Sequence, residues 1–298
     1  MEPETQEVAP DVFAYVQPDG SWCLNNAGIV RGGDELMLID TVATTRRALR
    51  LRAAAAELSA QPPNIIVNTH FHGDHCFGNH VFPEATIVGH ERTRSEARTA
   101  GLHLTTLWPE VDWGEIALRP PSVTYNQQMR VYVGELEVEL RYAGPAHSAD
   151  DTVVWLPHQK VLFTGDIAMA GVTPFVQMGS VAGSLAALDS LRALQPDVVV
   201  PGHGPVGGPE ILDATTDYLC WLEEQADIGI SAGLTVLELA AQISLGEYAE
   251  LRDSERLVPN LHRAYAEADG ADPGDPLDLG LMFAEMVRYH GRLPTCRA

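Results

Sequence analysis

The run Thr69-His70-Phe71-His72-Gly73-Asp74-His75 gathers three imidazoles and a carboxylate within six residues. Such groups are costly to bury unless something compensates them, and a divalent cation does so. His70 and His72 stand at i and i+2, which places both side chains on one face at an extended chain end. The Gly73 turn lets Asp74 and His75 swing toward a neighbouring position, so one segment can serve two adjacent ions. A His-Glu-x-x-His zinc motif needs a helix to bring i and i+4 together. Here the preceding Asn64-Ile65-Ile66-Val67-Asn68 is short, apolar and β-branched. The spacing therefore predicts ligands on a loop at the C-terminal end of a strand.

Four residues do not complete two coordination spheres, and three other places repeat the pattern of a polar residue in a Gly-rich turn beside an apolar strand. Ala143 to Asp151 carries His147 ahead of Thr152 to Leu156, Val161 to Asp166 ends on Asp166, and Val198 to Pro205 contains His203. The ordered set His70-x-His72-x-Asp74-His75, His147, Asp166, His203 resembles the metallo-β-lactamase superfamily. Leu38-Ile39-Asp40-Thr41 matches that family's first motif, whose aspartate is structural. The resemblance covers roughly residues 10 to 208. It implies that His70, His72 and His147 hold one zinc, that Asp74, His75 and His203 hold a second, and that Asp166 bridges them. A carboxylate rather than a thiolate at 166 makes the chain similar to the binuclear hydrolases, such as glyoxalase II, lactonases and phosphodiesterases, and not to the lactamases with a cysteine ligand. Iron and manganese accept the same donors.

A pair of dications turns water into a nucleophile near neutral pH and polarises a carbonyl, so no protein nucleophile is required. Asp74 is the candidate catalytic residue, orienting that nucleophile and carrying its proton. The remaining histidines, 80, 90, 103, 158, 262 and 290, lack such neighbours and read as surface or satisfied core residues, with His103 near a pocket mouth. Cys76 reads as an inert buried thiol turned away from the metals.

The elements that must position these groups read as an α/β chain. Strands are expected at Val12 to Val16, Cys23 to Val30, Glu35 to Ile39, Ile65 to Asn68 and Ala85 to Val88, with helices at Thr44 to Leu58 and His90 to Ala100. A second series begins at Val123 and continues through Met129 to Val133, Leu136 to Tyr142, Thr152 to Leu156, Lys160 to Phe163 and Val198 to Val200, with a helix at Ser184 to Leu194. Two similar halves, each ending in ligands at one sheet edge, imply two sheets packed face to face with helices outside, the four-layer αββα arrangement of the resembled family. Residues 1–208 are then the catalytic domain. Residues 209–298 form a helical extension, with helices at Ile211 to Ala226, Thr235 to Ile243, Leu257 to Ala268 and Leu279 to Tyr289, acting as a cap or a homodimer contact.

Charge and composition bound the partners. A net charge of −22 argues against nucleic acid and anionic membrane as ligands, although Arg46, Arg47, Arg50 and Arg52, and Arg92, Arg94 and Arg98, cluster on two helices. The extension holds 17 acidic and 6 basic residues in 90, half of the net charge. Four scattered cysteines do not make a disulfide framework, and the glutamate-rich start is no secretory signal, so a cytoplasmic enzyme is expected. Leu104 to Pro109 with Trp113, Tyr125 to Gln127, and Met169 to Phe175 are candidate pocket walls, which would suit a bulky aromatic ligand. In its length, acidic tail, Arg-rich composition and the run Trp22-Cys23-Leu24-Asn25-Asn26-Ala27-Gly28, the chain further resembles the thioesterases and second-ring cyclases of bacterial aromatic polyketide pathways, the actinorhodin type. That likeness implies a polyketide thioester carried by an acyl carrier protein, aldol closure of a later ring, and hydrolytic release. A glyoxalase II-like or lactonase-like housekeeping hydrolase is the alternative.

Overall fold

The computed structural model describes residues 2–298. Its first sheet has seven strands in chain order: β1 (Glu4–Ala9), β2 (Val12–Val16), β3 (Ala27–Gly32), β4 (Glu35–Ile39), β5 (Ile65–Val67), β6 (Thr86–His90) and β7 (Val123–Tyr125). The first four are antiparallel and β4 to β7 are parallel. Helices α1 (Thr45–Leu58), α2 (Gly73–Cys76), α3 (Glu91–Ala100) and α4 (His103–Leu107) fall between them. The second sheet holds β8 (Gln128–Val133), β9 (Leu136–Tyr142), β10 (Thr152–Leu156), β11 (Val161–Phe163) and β12 (Val198–Val200) in the order 12-11-10-9-8, with α5 (Val181–Arg192) between β11 and β12.

Strand β4 shows why the layers form. Leu36 and Leu38 on one side pack with Leu51 and Ala55 of α1, while Met37 and Ile39 on the other pack against Val138, Val154 and Phe163 of the second sheet. Successive side chains alternate faces, so a strand buried on both reads as a continuous apolar run. The sheets approach closely at Gly28, where a Cβ would meet the Phe163 ring at 2.6 Å. Together with the outer helices these sheets form the four-layer αββα architecture.

Direction then decides where function sits. Because β9 and β11 are each antiparallel to β10, and β12 is parallel to β11, strands β9, β11 and β12 point the same way. Their C-terminal loops and that of β5 carry the ligand motifs to one edge.

Several boundaries differ from expectation. The Val123 strand completes the first sheet instead of opening the second, pairing with β6. Cys23 and Leu24 lie outside the strand expected there, which begins at Ala27. Helix α5 starts at Val181 because Ser180 caps it, its side chain accepting from Gly183 N. Strand β1 was not foreseen, since its solvent-exposed edge position leaves no apolar alternation to read.

The C-terminal residues build α6 (Glu210–Ser231), α7 (Val236–Ala240), α8 (Leu257–Ala268) and α9 (Leu279–His290). Helix α7 is shorter than the sequence suggests, and α6 continues beyond Ala226 to Ser231. Among the described residues no helix is long and apolar enough to cross a membrane. These helices share one apolar cluster with α5 and the outer face of the second sheet.

Three residues at helical spacing, Arg256, Asn260 and Arg263, fasten α8 to the segment that follows β11. Arg256 Nη1 donates to Thr173 O at 3.0 Å, and Asn260 Nδ2 to Pro174 O at 2.7 Å. Asn260 Oδ1 accepts from Val176 N at 3.0 Å, and Arg263 Nη2 donates to Gln177 O at 2.8 Å. All three side chains are buried. The extension is thus tied by buried hydrogen bonds to the backbone of residues 173 to 177. Replacing Asn260 by Ala would leave Val176 N and Pro174 O unpaired in the interior, so urea unfolding should show a loss of about 3 kcal/mol. A shift in midpoint no larger than that of an exposed surface substitution would contradict this role.

Candidate metal centre

The site is organised by Asp40, which follows β4 with φ near 60°, a conformation Asp tolerates better than most residues. Its buried carboxylate accepts from Thr69 N at 2.7 Å, Thr69 Oγ1 at 2.6 Å and His75 Nδ1 at 2.8 Å. With Nδ1 engaged, His75 turns Nε2 inward. The same device recurs twice. His203 Nδ1 donates to Gly20 O at 2.8 Å, and His147 Nδ1 to Phe175 O. A ring fixed through one nitrogen presents the other in a defined direction and tautomer.

All seven predicted residues come together. His70, His72, His147 and Asp166 place one ligand atom each within 4.8 Å of one another, and Asp74, His75 and His203 do likewise. His72 Nδ1 lies 3.0 Å from His70 Nε2 and 2.9 Å from His147 Nε2. Asp166 reaches both groups: Oδ2 is 3.5 Å from His147 Nε2 and 3.4 Å from His203 Nε2, while Oδ1 is 3.1 Å from His75 Nε2. Gly202 makes room for that carboxylate, since a Cβ there would collide with Asp166 Oδ1.

The donor set fits divalent cations. His75 Nε2 and Asp166 Oδ1 are fully buried yet lack an aligned hydrogen-bond partner. Burial pushes His70, His72 and His147 below the usual imidazole range, leaving them neutral with lone pairs available. Burial alone would lower His203 too, but the Asp166 carboxylate outweighs it and raises the ring to about 9. His75 is likewise raised against burial by Asp166 and Asp40. Asp166 itself is held well below the carboxylate range despite burial, chiefly by His203 and His75. Loading a metal therefore competes with protons on His75 and His203.

Above these groups opens a cavity of about 560 Å³, walled mainly by Trp22, Leu104, Trp108, Phe175, Leu279 and Phe283. Two of the three loops expected at the wall contribute, through Leu104 to Trp108 and through Met169 and Phe175. Trp113 instead packs edge-on against Phe77 in the core, and Tyr125 hydrogen-bonds Thr152 between the sheets, so neither it nor the 126–127 turn lines the cavity. His103 does face it. The extension supplies Arg256, Leu279 and Phe283, which sequence reasoning missed because they lie far along the chain in ordinary amphipathic helices. Cys76 is buried and donates to Phe71 O at 3.1 Å, outside both ligand groups. The remaining histidines are engaged or distant: His90 stacks on Tyr142, and His262 pairs with Glu285. Arg47 and Arg52 spend their guanidiniums on local carbonyls and side chains.

A family profile described as Metallo-beta-lactamase superfamily matches residues 20–203. A linear primary-alkylsulfatase from Pseudomonas sp. is 25% identical over 84% of this chain and 57% of its own length. This chain therefore spans little more than half of that relative. A type 2 metallo-beta-lactamase of Bacteroides fragilis is 26% identical over 64% of this chain and 73% of its own. Among solved structures, a metallo-beta-lactamase from Pontibacter korlensis superposes with a TM-score of 0.60 at 25% identity, covering 74% of this chain and 99% of that one.

Converting Asp40 to Asn removes the charge that orients His75 without changing its volume. Competition titration with a chromophoric chelator should then show roughly 10- to 100-fold weaker zinc binding while circular dichroism is unchanged. Wild-type affinity in the variant would refute the orienting role.

Proposed function

This chain belongs to the metallo-beta-lactamase superfamily, and we propose that it is a metal-dependent hydrolase whose substrate is a carbonyl ester or thioester of a bulky, largely apolar acyl group. The finer form of the proposal is a thioesterase and aldol cyclase acting on an aromatic polyketide held by an acyl carrier protein. One observation carries it: an aromatic and aliphatic cavity stands directly above the ligand cluster, with room for a multi-ring substrate. Small polar thioesters would fill little of it, which weighs against a glyoxalase II-like role.

Two zinc ions, held by His70, His72 and His147 on one side, by Asp74, His75 and His203 on the other, and by Asp166 between, would supply an activated water and Lewis acidity. The chain's own groups do the rest. Asp74 lies on the cavity wall. Asp74 is held ionised despite burial by its His203 and His75 neighbours, and a carboxylate oxygen not taken by the metal would accept a proton and pass it to a departing group. Trp22, Trp108 and Phe175 exclude water and stack against flat substrates. Cys23 also faces the cavity, but burial raises its thiol well above the ordinary range and leaves it protonated, so covalent catalysis through sulfur is disfavoured. For a carrier-bound substrate the acidic partner would meet the exposed Arg92 and Arg98 on α3, whose last residue, Ala100, reaches the cavity.

A second reading, hydrolysis of an alkyl sulfate ester, draws support from the alkylsulfatase relative, whose similarity extends over 84% of this chain and so beyond the family match at 20–203. A panel of aromatic acyl thioesters, lactoylglutathione, lactones, a cephalosporin and dodecyl sulfate, with products identified by mass spectrometry, separates these readings. The proposal expects turnover of bulky acyl thioesters. Selective cleavage of dodecyl sulfate would replace it with the second reading, and selective cleavage of lactoylglutathione would restore the housekeeping role. On whichever substrate turns over, His72→Ala and Asp166→Asn should each lower kcat/KM by on the order of a thousandfold. Both variants should bind less metal and unfold at near wild-type urea concentration.

A further inference from the structure

A second cavity of about 410 Å³ adjoins the one above the metal ligands, and Ala100, His103, Gln177, Met178 and Leu279 form their common wall. Its far side is made by α3, the loop from Gly274 to Leu277, and Arg263 of α8. Most of the lining is apolar. Its polar groups, however, are unusual in what they lack.

Arg263 is wholly buried, and among the described residues no carboxylate lies within ion-pair distance of it. Its guanidinium is held by carbonyls alone, Gln177 O at 2.8 Å and Asp275 O at 2.7 Å, and Nη1 has no partner. Nearby carboxylates are committed elsewhere. Glu267 accepts from Val181 N and Ala182 N at the start of α5, and Asp275 accepts from Asp272 N. Glu96 is on the wall but makes no ion pair. Gln177, 1% exposed, leaves both Nε2 and Oε1 unpaired, and His103 Nδ1 is unpaired as well. The Glu267 and Asp275 carboxylates lie near enough to favour the Arg263 charge but neither hydrogen-bonds it, and a buried donor left unpaired is costly. A ligand anion would satisfy it.

We propose that this side cavity is an anion subsite that takes a carboxylate-bearing arm of the substrate. Arg263 Nη1 and Gln177 Nε2 would donate to the carboxylate oxygens while the apolar body of the molecule lies toward the metal centre. The inference rests on the reading that the larger cavity holds an apolar substrate, and it adds that the substrate is an acid.

Isothermal titration calorimetry of the 298-residue chain with 6-phenylhexanoate and with its neutral amide tests this directly, independently of any turnover. Each titration is repeated after chelation, so that capture of the carboxylate by bound metal is separated from binding at Arg263. The acid should bind roughly tenfold or more tighter than the amide, before and after chelation. Because Arg263 also anchors two backbone carbonyls and its loss could unfold the chain, the variant is Gln177→Glu, which keeps the side-chain shape and places a negative charge at the site. It should erase the preference for the acid. Equal affinity for acid and amide, a preference that vanishes on chelation, or a preference unchanged in Gln177→Glu would each overturn the proposal. The ester panel would still stand after any of these results, and failure of the panel would leave the binding result intact.

Discussion

The structure depends on crowding one imidazole nitrogen between two others. His72 Nδ1 sits 2.9 to 3.0 Å from two other ring nitrogens, and because a neutral ring has one N–H, at most one of these contacts is a well-formed hydrogen bond. Holding such a set together requires rigid support on every side. The support is a shell of hydrogen bonds from ring N–H groups to backbone carbonyls and Asp40, each fixing one ring nitrogen so that the other points inward. The chain thereby presents a preformed donor set that fits a divalent cation.

That requirement explains why the helical extension is more than an attachment. Phe175 O, which fixes His147, and Met178 Sδ, 3.1 Å from His72 Nε2, belong to a segment with no regular structure of its own. Its carbonyls are satisfied by Arg256, Asn260 and Arg263 of the extension. The final residues return to the catalytic layers, where Trp108 Nε1 donates to Pro294 O and Arg297 N to Trp22 O. The cavity wall and the ligand cluster consequently share the support of one segment, residues 173 to 178, which the extension holds by hydrogen bonds.

The cavity also shows how apolar walls and a few polar groups divide labour. Arg256, stacked 4.3 Å over the Trp22 ring and paired with Asp253 at 3.1 Å, is spent on architecture. Arg263, Gln177 and His103 retain unpaired atoms in the adjoining space. Two buried arginines, one just ahead of α8 and one within it, thus differ in that Arg256 has a carboxylate within ion-pair distance and Arg263 does not.

The amino-acid sequence by itself pointed to the seven candidate ligands, because the run from His70 to His75 is a local pattern that no fold is needed to see and the order of His147, Asp166 and His203 after it resembles that of a known family. It also determined the α/β class, since strands buried on both faces must be continuously apolar. Only the tertiary structure decided that Val123–Tyr125 closes the first sheet, that Tyr125 turns to Thr152 rather than to the substrate, and that Leu279 and Phe283 wall a cavity whose ligands come from residues 70 to 203. These are long-range outcomes. Pairing partners and cavity walls are set by which faces meet across the whole chain, and an unpaired guanidinium is defined by distances to residues that local spacing does not encode.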